Sequence, residues 1–218
     1  MEETGSPGGW TLSVSHAPRP FELFVRDALR LDVRDEPAAP PPLDPPAPDH
    51  RDVLTVAERD RVAQQWPMWW RTALAHEARS HGARVTGDRP AWHREQAAPR
   101  AAAVGQPPDV AALSASPELR RACALLDPGL RAWSRREPAD ESPLSALKSL
   151  DCGDLAAEVA GRWGAELGQL HGVVLAYGVE GPWRRLVAPG VLVCSVVDLE
   201  TEPDAVVREV LESSVSLA

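Results

Sequence analysis

At 218 residues, with 44% hydrophobic and 25% charged side chains, the chain is long enough to bury roughly 70% of its unfolded surface, so neither a disulfide nor a metal is needed to hold it. A formal net charge of −9 excludes general affinity for nucleic acid or anionic membranes, because both require cationic neutralisation of phosphate. No apolar run approaches the ~18 residues that span a bilayer, and the three cysteines, Cys123, Cys152 and Cys194, are odd in number and far apart, as suits reduced thiols in a cytoplasmic protein.

The opening residues, MEETGSPGGW, have neither a cationic nor an apolar region, and no secretory signal is expected there. Of 23 basic residues, Lys148 alone is lysine. Usage rich in arginine, alanine and proline points to a high-GC bacterial genome, so arginine counts carry little functional weight. Charge is nevertheless segregated. Residues 51–136 hold 14 arginines against 9 acids, whereas 137–218 hold 5 basic residues against 14 acids; complementarity between segments is the plain reading.

In chain order, residues 10–14 predict a short strand, and Pro20–Leu31 a short amphipathic helix with Phe21, Phe24, Val25 and Leu29 on one side. Residues 36–48 then lack a backbone donor at seven prolines, which excludes helix and favours polyproline II. The segment 36–50 is therefore a stiff linker or a surface strap, expected to be extended and open to proteases.

Thr55 and Glu58 form a capping box that starts a helix. Along it Val62, Trp66, Trp69, Trp70 and Leu74 share one face. Pro67 predicts a kink, or two helices meeting at Trp66. Residues 82–115 show no clear period and predict a long loop, with room for one short helix. Ser116 and Pro117 open a further helix, Asp127-Pro-Gly129 closes it, and short helices are expected around Trp133 and near Leu144–Leu147. Asp151 caps a helix in which Leu155, Val159, Trp163, Leu167 and Leu170 recur every three or four residues, ending at Gly172. Glycines 161, 164 and 168 would make a small-residue stripe on it.

Beyond Gly172 the period changes to continuous β-branched runs. Strands are predicted at 173–178, 183–187 and 191–197, with a hairpin through Ala188-Pro-Gly190. Thr201-Glu-Pro-Asp204 then opens a last helix. The fold class is α+β: a helical N-terminal two-thirds followed by a small, mainly antiparallel C-terminal sheet covered by helices. The organisation is a strand and helix segment at 1–35, the proline segment at 36–50, a tryptophan-rich helical region at 51–148 and an α+β unit at 149–218, together one compact domain.

Catalytic signatures are absent. His76 and His81, with His93 further on, invite comparison with a zinc motif, but five residues place the first two about 140° apart on a helix. No metal or cofactor is expected. Cys152 sits in a first helical turn, where Asp151 and Asp154 oppose thiolate formation, and Ser195 lacks the context of a nucleophile elbow. Trp66, Trp69 and Trp70 crowd into five residues, so they anchor a core or form a sticky surface; a core is expected for at least two of them.

Partner-binding candidates are Trp66, Trp69 and Trp70, together with Trp183 and the Arg184–Arg185 pair beside it. The favoured function is a non-enzymatic cytoplasmic interaction or accessory protein that binds another protein, or its own copy, through the tryptophan-rich face. The alternative is a small hydrolase or transferase whose site residues are scattered through the fold.

Overall fold

A computed structural model describes residues 2–5, 9–16, 20–81, 98–105, 107, 110–135 and 147–216. His93, the acidic stretch from Glu137 and the helix expected near Leu144 fall outside them. The chain forms two compact units. One comprises Met1–Pro18, His81–Arg84 and Ala139–Ala218; the other comprises Arg19–Ser80 and Val85–Pro138. This division does not follow the sequence order, because the two ends of the chain belong to the same unit.

The first unit is built on a five-stranded sheet in the order β1-β2-β3-β5-β4. Its strands are β1 (Glu2–Gly5), β2 (Thr11–His16), β3 (His171–Tyr177), β4 (Arg184–Ala188) and β5 (Val191–Ser195). The sheet is mixed rather than mainly antiparallel. β2 runs parallel to β3 and β3 parallel to β5, while the two edge pairs are antiparallel. The expected hairpin does join β4 to β5. What local sequence could not supply was the pairing of the 11–16 strand with 171–176.

Residues two apart on the parallel strands point to one face: Leu12 and Val14, Val174 and Ala176, Leu192 and Cys194. Onto that face pack α4 (Cys152–Trp163) and α6 (Pro203–Val215) through Leu155, Val159, Val206, Val207, Val210 and Leu211. The opposite face, with Val191 and Val193, is also buried, which is why these strands read as continuous apolar runs. Gly172 does not stop a helix. It lies within β3, where an added Cβ would come within 2.9 Å of Leu12 Cδ1 and Val210 Cγ1, so its bare backbone lets α6 approach the sheet.

The helix closed at Gly172 in the sequence reading ends nine residues earlier than Gly172. Gly164 terminates α4 in the left-handed conformation, φ 61°, a backbone state that glycine adopts without a Cβ penalty. The glycine stripe is thereby dissolved: space beside Gly161 is open. Likewise 196–197 do not prolong β5. Ser195 Oγ accepts the Asp198 amide at 3.0 Å and starts a short helix, α5 (Val196–Thr201). Asp151 caps α4 as expected, with Oδ1 accepting the amides of Gly153 and Asp154, each at 3.0 Å.

The second unit holds α1 (Phe21–Ala28), α2 (Val56–His81) and α3 (Pro117–Ser134). The capping box at the start of α2 is complete. The Thr55 amide donates to Glu58 Oε2 at 2.8 Å, and the Glu58 amide donates back to Thr55 Oγ1 at 3.3 Å. Pro67 lies inside a single 26-residue helix, and Asp127-Pro-Gly129 does not end α3, which continues to Ser134. An interior proline costs about 3 kcal/mol. Burial of Leu119, Ala122, Cys123, Leu126 and Trp133 along α3 is worth more than that.

The indole face of α2 is interior. Trp66, Trp69 and Trp70 are 0%, 3% and 1% exposed. Trp66 stacks on Trp70 at 5.9 Å, and Phe21 of α1 meets Trp69 edge-on at the same distance. Each indole N–H finds a backbone oxygen: Trp66 on Glu22 at 2.7 Å, Trp69 on Val104 and Trp70 on Ala38 at 2.8 Å each.

The last of these bonds fastens the proline segment, which turns at Pro37–Ala38 and is a packed strap, not an accessible linker. Ala38, Pro40, Leu43 and Ala47 are buried. Its carbonyls need donors that prolines do not supply. Trp70 supplies one, and the buried guanidinium of Arg26, held by neighbouring Asp27, supplies two more to Pro40 and Pro41. Asp27 Oδ2 in turn accepts the Leu43 amide at 2.6 Å. Among the described residues, no helix is long and apolar enough to cross a membrane.

Trp70→Phe keeps most of the buried ring but deletes the donor to Ala38, leaving a buried carbonyl unpaired. Denaturant titration is expected to show a loss of about 1–3 kcal/mol, with new proteolytic cleavage within 36–48. At the α2 cap, the Thr55 amide and hydroxyl, then Arg121, hold the Glu58 carboxyl down at about 2. A lowered folded-state value stabilises above the ordinary value near 4.5 and is lost as pH falls towards 2. Glu58→Gln is therefore expected to lower the melting temperature at pH 7, with the gap to wild type closing between pH 4.5 and 2.

Candidate functional site

With the indoles of α2 enclosed, the large apolar side chains left in water are Val56, Met68, Leu125, Trp163 and Leu186 among the described residues. The first three are dispersed over α2 and α3. Trp163 and Leu186, 47% and 39% exposed, line one groove of about 510 Å³ on the first unit. Its walls are the C-terminal end of α4, the edge strand β4 and the outer face of α6, which adds Ala205, Arg208, Glu209, Glu212 and Ser213.

Sequence periodicity assigned Trp163 to a buried stripe. In the structure Trp163 is the last residue of α4, ahead of the Gly164 stop, and is exposed.

Arg184 is the candidate from the sequence that does reach this groove. Its Nη2 lies 2.7 Å from Glu202 Oε2, and its Nε lies 3.2 Å from Asp198 Oδ2 and 3.8 Å from Glu209 Oε2. Burial works against the guanidinium charge, and the Glu202 hydrogen bond with the Asp198 and Glu209 charges outweighs it, holding Arg184 above its ordinary range. Asp198, on α5, is itself buried. Oδ2 stands beside Arg184 Nε but accepts no hydrogen bond of good angle, and burial pushes its carboxyl up against the pull of Arg184.

Trp183 contributes through its backbone. Its amide donates to Ser195 Oγ at 3.1 Å and its carbonyl accepts from the Ser195 amide at 2.7 Å. Ser195 is thus a junction residue, fully buried. Arg185 stands exposed on the edge strand.

Around the groove the remaining arginines are engaged too. Arg208 grips Glu158 through both Nη atoms, at 2.7 and 3.0 Å, with Asp204 at 3.6 Å, and Arg162 pairs with Glu212 at 2.8 Å. The Arg208 hydrogen bond holds the Glu158 carboxyl below its ordinary range.

A second cleft, of about 530 Å³, lies on the other unit between Arg30, Arg51, Arg59, Asp32 and Asp60. Its guanidiniums already have acceptors: Arg51 on Asp49, Arg59 on the Arg51 carbonyl and Arg30 on the Ala47 carbonyl. All three cysteines are buried; burial raises the Cys123 thiol and pushes that of Cys194 up to about 12. Ser80 Oγ lies 3.1 Å from His76 Nε2, a contact that the i, i+4 geometry of one helix gives by itself.

No group of three or more metal-ligating side chains gathers among the described residues. Compared with protein-family models, with curated proteins and with solved structures, the chain shows no match in any of the three.

Removing Arg184 leaves Asp198 buried beside no cation. Arg184→Ala is expected to cost up to about 3–5 kcal/mol at pH 7. A carboxyl whose folded-state value is raised is penalised in its charged form, so the loss shrinks as pH falls through that value and Asp198 takes up a proton. Adding Asp198→Asn to Arg184→Ala is expected to recover most of it, as thermal melts of the two single variants and the double variant will report.

Proposed function

We propose that the protein is a non-enzymatic interaction or accessory protein that docks a protein partner on the α4–β4–α6 groove. The observation that carries this reading is the pairing of exposed Trp163 with exposed Leu186 in one groove. Tryptophan concentrates binding energy at interfaces because its large face is apolar while its N–H tolerates water. The docking residues are then Trp163 and Leu186, with Arg184 at the rim. Trp66, Trp69 and Trp70, partner-binding candidates in the sequence for which a core is the expected place of at least two, are all three buried. A cytoplasmic setting goes with this reading, supported by three buried cysteines that form no disulfide.

The test places a photo-activatable cross-linking amino acid at position 186 and, as a control, at exposed Met68. Position 186 is expected to yield a defined cross-linked species in cells, identified by mass spectrometry and lost when Trp163→Ala is added. Trp163 is half exposed, so that change is expected to leave the melting temperature within a few degrees of wild type. The same species from both positions, or none from 186, would count against the groove.

A further inference from the structure

We infer that the occupant of this groove is a cationic amphipathic segment of a partner protein, one that brings lysine or arginine side chains together with an apolar anchor. The inference rests on the docking reading above and adds the partner's chemistry. Its first support is where the charge sits. Of the net −9, all of it belongs to the first unit, whose residues include 6 basic against 15 acidic side chains; the second unit carries 17 of each. The groove lies on the charged unit.

Local pairing sharpens the argument. Arg162, Arg184 and Arg208 share the neighbourhood with Glu158, Asp198, Glu202, Asp204, Glu209 and Glu212. Three cations stand among six carboxyls, of which Asp198 is buried and the other five reach solvent, and each cation is already in contact with at least one of them. An incoming carboxylate would therefore have to displace an existing ion pair. An incoming ammonium or guanidinium meets carboxylates with capacity left, since each has about four lone-pair positions and Glu209 makes only a long, 3.8 Å approach to Arg184. The face of Trp163 adds a cation–π surface for the same groups.

Two other occupants fit less well. A second copy of the chain presenting this face would bring two acidic units together, at a cost in like-charge repulsion. A strand added to β4 would meet a blunted edge. The β4–β5 ladder shifts register between Leu186 and Ala188, Pro189 follows at once, and Arg185 stands exposed on the strand; bulge, proline and edge charge all discourage strand addition. A segment held by its side chains, as an amphipathic helix is, remains.

The experiment uses the full chain and three synthetic amphipathic peptides with identical leucine spacing, whose polar faces carry lysine, glutamine or glutamate. Isothermal titration is expected to show the lysine peptide binding at least tenfold more tightly than the glutamine peptide, with no heat from the glutamate peptide. Its affinity is expected to fall as salt rises from about 50 to 200 mM. It is also expected to drop tenfold or more in Glu209→Gln/Glu212→Gln and in Trp163→Ala, but not in Met68→Ser.

Equal binding of the glutamine or glutamate peptide would overturn the cationic assignment while leaving the groove as a docking site. Lysine-peptide binding indifferent to Trp163→Ala would overturn it as mere adhesion to an acidic surface. A dimer in sedimentation that Leu186→Glu dissolves would overturn it in favour of a second copy. Silence from all three peptides would overturn it too, and silence joined to no cross-link at 186 would take the docking reading with it.

Discussion

The second unit depends on one constraint: a proline-rich strap has carbonyl acceptors to bury and few donors to offer. Backbone oxygens without partners inside a protein cost about as much as a lost hydrogen bond, so the strap packs only where side-chain donors come to it. Trp70 and Arg26 are those donors. This explains two oddities together. Arg26 and Asp27 are buried on a helix whose residues are all buried, and Trp70 is turned so that its N–H reaches the Ala38 carbonyl of the strap, while Trp66 and Trp69 donate to Glu22 and Val104 outside it. These tryptophans contribute donors as well as buried area.

Seen that way, the concentration of tryptophan ceases to argue for a sticky surface. A phenylalanine at position 70 would fill similar space and leave the Ala38 carbonyl of the strap unsatisfied. The exposed indole that matters is a different one, Trp163, whose position follows from a helix ending one residue later, at Gly164. Core and surface tryptophans in this chain are told apart by what surrounds the N–H and by where the helix stops.

Signals carried within four or five residues were legible in the sequence. The Thr55–Glu58 box, the Asp151 cap, the spacing that gathers Val62 to Leu74 on one face and the β4–β5 hairpin all rest on local geometry. What escaped depends on residues far apart along the chain. Pro67 and Pro128 read as breaks because their local cost is visible while the burial that offsets it is not. Gly172 read as a helix stop because its true role, space for Val210 and Leu12, is a tertiary fact. The groove fared similarly. Arg184 was singled out beside Trp183, but its acidic partners on α5 and α6, and Leu186 opposite Trp163, come together through folding alone.

The parallel pairing of Thr11–His16 with His171–Ala176 has a consequence for how the protein is made. A ribosome releases the β2 strand early and its neighbour only after the whole second unit has been synthesised. Leu12 and Val14, which end in the sheet core, have only β1 beside them through that interval. The second unit lies wholly between them and their partner strand, so it has every residue it needs to fold first, and domain-wise folding during synthesis favours that order. Each copy of the nascent chain therefore passes through a stage with one finished unit and a β2 strand still open on its β3 side. A slow pause in translation before residue 171 lengthens the exposure of that strand to other chains.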